Sequence, residues 1–191
     1  MSIVVVVKKN DKAVIASDSF STFGNTRVSP TYLRNYQKIH RVGDSFIGLV
    51  GATAHDNVFE HLIETESENL RFDDSKAIFD TYLKLHSILK DKYFLNTQER
   101  DDDEYESSQI DALIANPNGI FGMYSLREVY EFERFWAIGS GTEFALGAMY
   151  SVYDHSDEPE KIAETAVRAA CEFDDGCGLP LDIFTVELKK T

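Results

Sequence analysis

The order of apolar patterns along the 191-residue chain predicts an α+β fold, a four-layer α-β-β-α sandwich of two antiparallel sheets with a helix pair outside each. Three observations predict it. Short β-branched runs arrive in pairs around turn residues. Helical periodicity comes in two blocks of two helices. Strands and helices are segregated rather than alternating, as a parallel α/β sheet would require. The expected order is four strands, two helices, three or four strands, two helices and one strand, forming a single domain over 1–191.

The first hairpin is read from the β-branched run 3–7, the turn pair Asn10-Asp11 and the apolar run 13–16. A second comes from 38–42, Gly43-Asp44 and 45–51. Val58, Leu62, Ala77, Phe79, Leu83, Leu85, Ile88 and Leu89 then recur at helical spacing, giving helices over 53–69 and 75–94 with Asp73-Asp74-Ser75 as a cap. The run 99–106 is charged and without apolar period, hence a surface loop. A third hairpin covers 110–124 around Asn116-Pro117-Asn118-Gly119, and strands follow at 129–132 and 135–138. Phe144, Leu146, Ala148, Met149 and Val152 mark a third helix. Pro159, tolerated in a first turn, opens a fourth, and 181–188 is the closing strand.

Composition narrows the function. With 33 acidic against 19 basic residues the formal charge is −14, so nucleic acid and anionic membrane surfaces are disfavoured as partners. An apolar content of 43% marks a folded chain rather than an acidic disordered one. Cys171 and Cys177 form neither a disulfide framework nor a four-ligand zinc site, and are read as ordinary thiols in a reducing compartment. The run 3–7 is too short for a signal peptide or membrane span, so a cytoplasmic protein is expected.

Sequence motifs for a nucleophile elbow, a zinc protease helix, a P-loop or a dinucleotide-binding turn are missing. What stands out is Ser2. A small second residue generally permits loss of the initiator Met1, and a terminal serine carries its own general base, an α-amine of pKa about 7.7–8.0 within reach of its hydroxyl.

Ser2 and the run 3–10, followed by Val14-Ile15-Ala16-Ser17-Asp18, resemble the opening strand pair of the proteasome β-subunit family and its bacterial relative HslV, members of the N-terminal nucleophile hydrolase superfamily. Phe23-Gly24-Asn25-Thr26, Lys38-Ile39-His40-Arg41, Gly51-Ala52-Thr53-Ala54 and Ala137-Ile138-Gly139-Ser140-Gly141 continue the resemblance, which spans essentially the whole chain and is most like a bacterial proteasome-like β-subunit. It implies the same four-layer fold and a peptidase acting through an acyl-enzyme on Ser2, with no metal and no cofactor. Asp18 would hold the ammonium of Lys38, and Gly51 would offer its N–H to the oxyanion. Ser140 would assist near the terminal amine, with Glu172 and Asp175 in the columns of an orienting Asp and Ser. Ser21, Thr22, Gly48 and Leu49 would border the substrate cleft. The implied partners are further copies of the chain in stacked rings, a peptide or unfolded protein substrate, and an ATPase unfoldase of the kind HslV uses.

Plainer readings stand beside these. Asp18 also suits an Asx-turn, Lys38 an exposed strand lysine, Gly51 a turn glycine, Ser140 a helix cap, and 172–175 a solvated helix end. Ser in place of the family's usual Thr loses the methyl that stiffens χ1, a route to slower turnover. An inactive ring or scaffold subunit, and a small-molecule amidohydrolase of the same superfamily, are the alternative functions.

Overall fold

A strand can be apolar on both faces only where both are covered. The computed structural model, which describes residues 2–24, 26–34 and 37–190, covers them with two further layers. Six strands precede the first helix: β1 (Ile3–Lys9), β2 (Lys12–Asp18), β3 (Ser21–Phe23), β4 (Thr26–Val28), β5 (Ile39–Val42) and β6 (Ser45–Val50). Helices α1 (Thr53–Glu66) and α2 (Ser75–Tyr93) follow, then β7 (Asp111–Asn116), β8 (Gly119–Met123), β9 (Val129–Phe132) and β10 (Phe135–Gly139). Helices α3 (Thr142–Val152) and α4 (Pro159–Phe173) lead to the closing strand β11 (Leu181–Glu187).

One sheet has the order β10-β1-β2-β11 and the other β5-β6-β7-β8-β9. All pairings within both are antiparallel. The period of two along each strand sorts the side chains into three apolar layers. Ile3, Val5 and Val7 pack with Ala145, Ile162, Ala166 and Val167 of α3 and α4. Val4, Val6, Ile15, Leu113 and Ala115 fill the space between the sheets. Ile47, Leu49, Ile114 and Phe121 face Phe59 and Leu62 of α1 and Ile78, Tyr82 and Leu85 of α2. The result is the expected α-β-β-α sandwich.

Asp74 caps α2 by accepting from the Ala77 N–H at 2.8 Å, and Pro159 stands in the first turn of α4 with Glu160 beside it. Phe94 closes α2 in a left-handed conformation at φ 56°. The acidic run is a loop tied to α2: Lys90 donates to Glu106 at 2.6 and 2.8 Å, and His86 bridges Glu106 and Ser108. Among the described residues no helix is long and apolar enough to cross a membrane.

The early strand count differs from expectation. The hairpin β3–β4 lies between the two expected pairs, with strands of three residues, Ser-Thr-Phe and Thr-Arg-Val, whose single apolar side chains give no apolar run. Helix α1 also stops at Glu66, short of residue 69, in a 3-10 turn over Ser67–Asn69.

The sheets approach closely at Gly48, where an added Cβ would sit 2.5 Å from Val4 Cγ1 and 3.2 Å from Ile15 Cδ1. Gly48→Ala is expected to destabilise the fold by about 1–3 kcal/mol through overpacking. Val4→Ala in the same chain should return part of that loss, since the two groups compete for one space. Urea unfolding of both single variants and the double variant measures the coupling.

Candidate active site

Asp18 ends β2, where it pairs with Leu181 of β11, and its side chain is fully buried. A buried carboxylate is tolerated only when its lone pairs are filled. Oδ1 accepts from Lys38 Nζ at 2.6 Å and from the Ile3 N–H at 3.0 Å. Oδ2 accepts from the Gly178 N–H at 3.0 Å and the Phe20 N–H at 3.4 Å. Lys38 is itself only 2% exposed and sits immediately before β5, its carbonyl accepting from the Leu49 N–H at 3.1 Å. It is therefore no exposed strand lysine.

Through the Ile3 N–H, Asp18 fixes the backbone next to Ser2. On the other side of β1, Gly139 takes φ +112°, and a Cβ there would lie 2.1 Å from the Ser2 carbonyl oxygen, a contact open to glycine alone. Ser140 Oγ lies 3.4 Å from that same oxygen and 2.6 Å from Asp174 Oδ2. A hydroxyl has one proton, so the shorter bond to the carboxylate takes it and the contact with Ser2 is the weaker one. Ser2 is buried, at 8% exposed.

Asp174 is the carboxylate that sequence reasoning missed. Of the two residues expected here, Glu172 lies in the last turn of α4 and lines a different cavity with Phe20, Arg27, Arg168 and Cys171. Asp175 turns its backbone carbonyl to Arg27 at 3.2 Å. Asp174 follows the helix end at Phe173 and accepts from Ser140 Oγ, from Cys177 Sγ at 3.0 Å and from the Gly176 N–H at 3.3 Å. The carboxylate that Ser140 reaches is thus Asp174, with the Cys177 thiol as its second side-chain donor. The signal that could have found the pair is the Asp174-x-x-Cys177 spacing.

Partial burial opposes ionisation of Asp174, yet the hydrogen bonds from Cys177, Ser140 and the Gly176 N–H outweigh it and hold the carboxyl below the usual aspartate range. Burial, reinforced by Asp174, pushes the Cys177 thiol up, and burial raises Cys171 to about 11. Both thiols are neutral near pH 7.

Gly51 joins β6 to α1 at φ +138°, a conformation that glycine alone adopts readily, and is exposed. Ser21 lies on β3 with its hydroxyl buried and without a hydrogen-bond partner, bordering a cavity of about 220 Å³ with Phe23, Thr53, Asp56 and Glu60. Thr22 is beside it, half-buried. Gly48 and Leu49 lie deeper than the expected cleft position. Leu49 packs in the layer under α1 and α2, and Gly48 faces the other sheet. A hydroxyl–imidazole–carboxylate array away from this site, Ser108, His86 and Glu106, has its serine fully buried, so no substrate reaches it and it serves to staple the acidic loop.

Two facing antiparallel sheets, each backed by a helix pair, with the start of the first strand set against a buried Asp–Lys pair, define the N-terminal nucleophile hydrolase fold. A family model described as "Proteasome subunit" matches residues 2–186, and the chain belongs to that family. Its similarity to HslV, the ATP-dependent protease subunit of Bartonella quintana, is 29% identity over 188 residues, covering 96% of this chain and 86% of that one. The proteasome subunit beta of Nanoarchaeum equitans is 24% identical over 203 residues, covering 99% and 94%. In structure, BPH of Thiobacillus denitrificans in complex with epoxomicin superposes with a TM-score of 0.91 at 38% identity, over 98% of this chain and 100% of that one. The family is one of N-terminal nucleophile peptidases.

Removing one partner of a buried pair leaves the other charge uncompensated. Asp18→Ala should lower the unfolding free energy by about 3–5 kcal/mol, and Asp18→Leu with Lys38→Met should recover much of it. Urea titration measures both; a loss under about 1 kcal/mol for Asp18→Ala would mean that Lys38 finds water instead.

The depressed Asp174 carboxyl contributes stability that is present above its unfolded pKa and lost as pH falls through the folded value. Cys177→Ala removes a donor and should move that titration up towards the ordinary range, while Cys177→Ser, which keeps a donor, should leave it low. Carboxyl carbon NMR over an acid titration reads the difference.

Proposed function

We propose that this chain is a peptidase that hydrolyses peptide bonds through an acyl-enzyme on Ser2, after removal of Met1. The observation that carries the reading is the Asp18 carboxylate, which joins Lys38 Nζ to the N–H of the residue following Ser2. The Ser2 Oγ attacks the substrate carbonyl while the freed α-amine, directly or through water, accepts the hydroxyl proton. The positive charge of Lys38 favours the developing alkoxide, and the Gly51 N–H receives the oxyanion. The leaving amine departs with the proton, and water, deprotonated by the same α-amine, releases the acid and restores Ser2. Ser140, bonded to Asp174 and 3.4 Å from the Ser2 carbonyl oxygen, assists at the terminal residue. Neither metal nor cofactor enters these steps.

In this reading residues 1–191 are a single β-type unit that assembles into stacked rings of identical copies around a chamber for peptide or unfolded protein. The name of the HslV relatives, ATP-dependent protease subunit, supports an ATPase as a further partner, and in this reading the assembly works in the cytoplasm. Serine in place of threonine leaves the nucleophile intact and loosens its rotamer.

The test begins with the intact mass of native protein. Loss of Met1 is expected, and a population that retains it throughout has no free Ser2 amine and defeats the mechanism. In processed protein, Ser2→Ala should reduce hydrolysis of fluorogenic peptides by about a thousand-fold or more and abolish labelling by an electrophilic peptide, with the assembly intact on size-exclusion chromatography. Labelling that survives Ser2→Ala would place the nucleophile elsewhere.

A further inference from the structure

A cavity beside the candidate active site takes no part in the proposed hydrolysis steps. It opens where the two sheets part, has a volume of about 560 Å³, and lies between Tyr124, Tyr130, Phe132 and Trp136, with Asp111 and Glu128 at its rim. Its floor is Ala137, Ile138, Gly139 and Thr142.

The four aromatic rings form a connected box. Trp136 stacks on Phe132 at 5.2 Å between centroids and 11° between planes, and Tyr124 meets Tyr130 edge-on at 5.9 Å. Trp136 and Tyr124 line the same cavity and bring the two pairs together. Tyr130 OH in turn approaches Glu128 Oε1 at 3.5 Å. Trp136 and Tyr130 remain 38% and 51% exposed, large values for aromatic side chains held in place by their neighbours. Ring faces carry negative quadrupole density, and rings set beside carboxylates favour a cation over a neutral apolar group. The lining contains two carboxylates and no basic side chain.

Its position ties the box to the site. Asp111 pairs across the sheet with Val50, the neighbour of Gly51, and Gly139 pairs with Ile3, the neighbour of Ser2. We infer that this aromatic box is a binding site for a lysine or arginine side chain of a polypeptide lying across the candidate active site. That the polypeptide is a substrate rests on the peptidase reading; that the box takes a cation does not.

The titration of Asp111 agrees with the geometry. Burial raises its carboxyl, the Ser125 N–H offsets part of this, and Glu99 and Glu128 add like-charge repulsion. A bound cation would relieve that repulsion.

Trp136 is the sole tryptophan of the chain, so its emission reports on the box without any catalytic readout. Blocked alanine heptapeptides carrying one lysine, walked through each position, are titrated against native protein alongside counterparts with norleucine or glutamate. At the favoured position the lysine peptide should shift Trp136 emission saturably and bind at least ten-fold more tightly than its norleucine counterpart. Glu128→Gln, an exposed and structurally mild change, should weaken it several-fold, and Asp111→Asn with Glu128→Gln should remove the preference. Equal binding of norleucine and lysine peptides would overturn the proposal. So would emission that follows protein concentration and ignores peptide, because a second copy of the chain would then cover the box. If lysine peptides bind selectively but no peptide is hydrolysed by processed protein, the peptidase reading fails and the box stands. If hydrolysis proceeds without lysine preference in binding, the box fails and the peptidase reading stands.

Discussion

A single buried carboxylate organises the part of this molecule on which chemistry depends. Asp18 collects hydrogen bonds from β1, from the residue before β5, from its own strand end and from the segment before β11. Each donor comes from a different stretch of chain, so the carboxylate is satisfied only when the two sheets and the closing strand are all in place. Folding and site assembly are therefore one event. The cost of desolvating Asp18 and Lys38 is offset only in the complete arrangement, which is why neither group is dispensable by itself.

The second constraint is steric. Gly139 and Gly48 let backbone and strand approach where any side chain would intrude, one against the carbonyl of Ser2 and the other between the sheets. The first strand is thus held from both sides at its start, by the hydrogen bond from the Ile3 N–H to Asp18 and by the close pass of β10. Next to this clamp, between β10 of one sheet and the β8–β9 edge of the other, the sheets leave room for the aromatic box. A rigid centre and an open flank are what a site that grips a passing polypeptide requires.

Most of the architecture is legible in the sequence because strands buried on both faces announce themselves as continuous apolar runs, and the paired helices show their period plainly. The β3–β4 hairpin is not legible: three-residue strands with Ser, Thr and Arg leave no pattern above background. Within the site, Asp18, Lys38 and Ser140 could be named because order and spacing along the chain mark them. Asp174 could not, because three acidic residues crowd 172–175 and the helix end at Phe173 decides which of them turns inward. The aromatic box escaped for the opposite reason. Its residues look like ordinary strand aromatics at 124–136, and only the divergence of the sheets shows that their faces enclose space.

The burial of Lys38 also gives the protein a chemical asymmetry among its amines. Lysines such as Lys90 and Lys161 stand in water, whereas Lys38 is screened by packing and held by Asp18. An amine-reactive reagent applied to native protein therefore discriminates between them. Acylation of Lys38 becomes a footprint of the moment when the sheets separate, independent of any substrate.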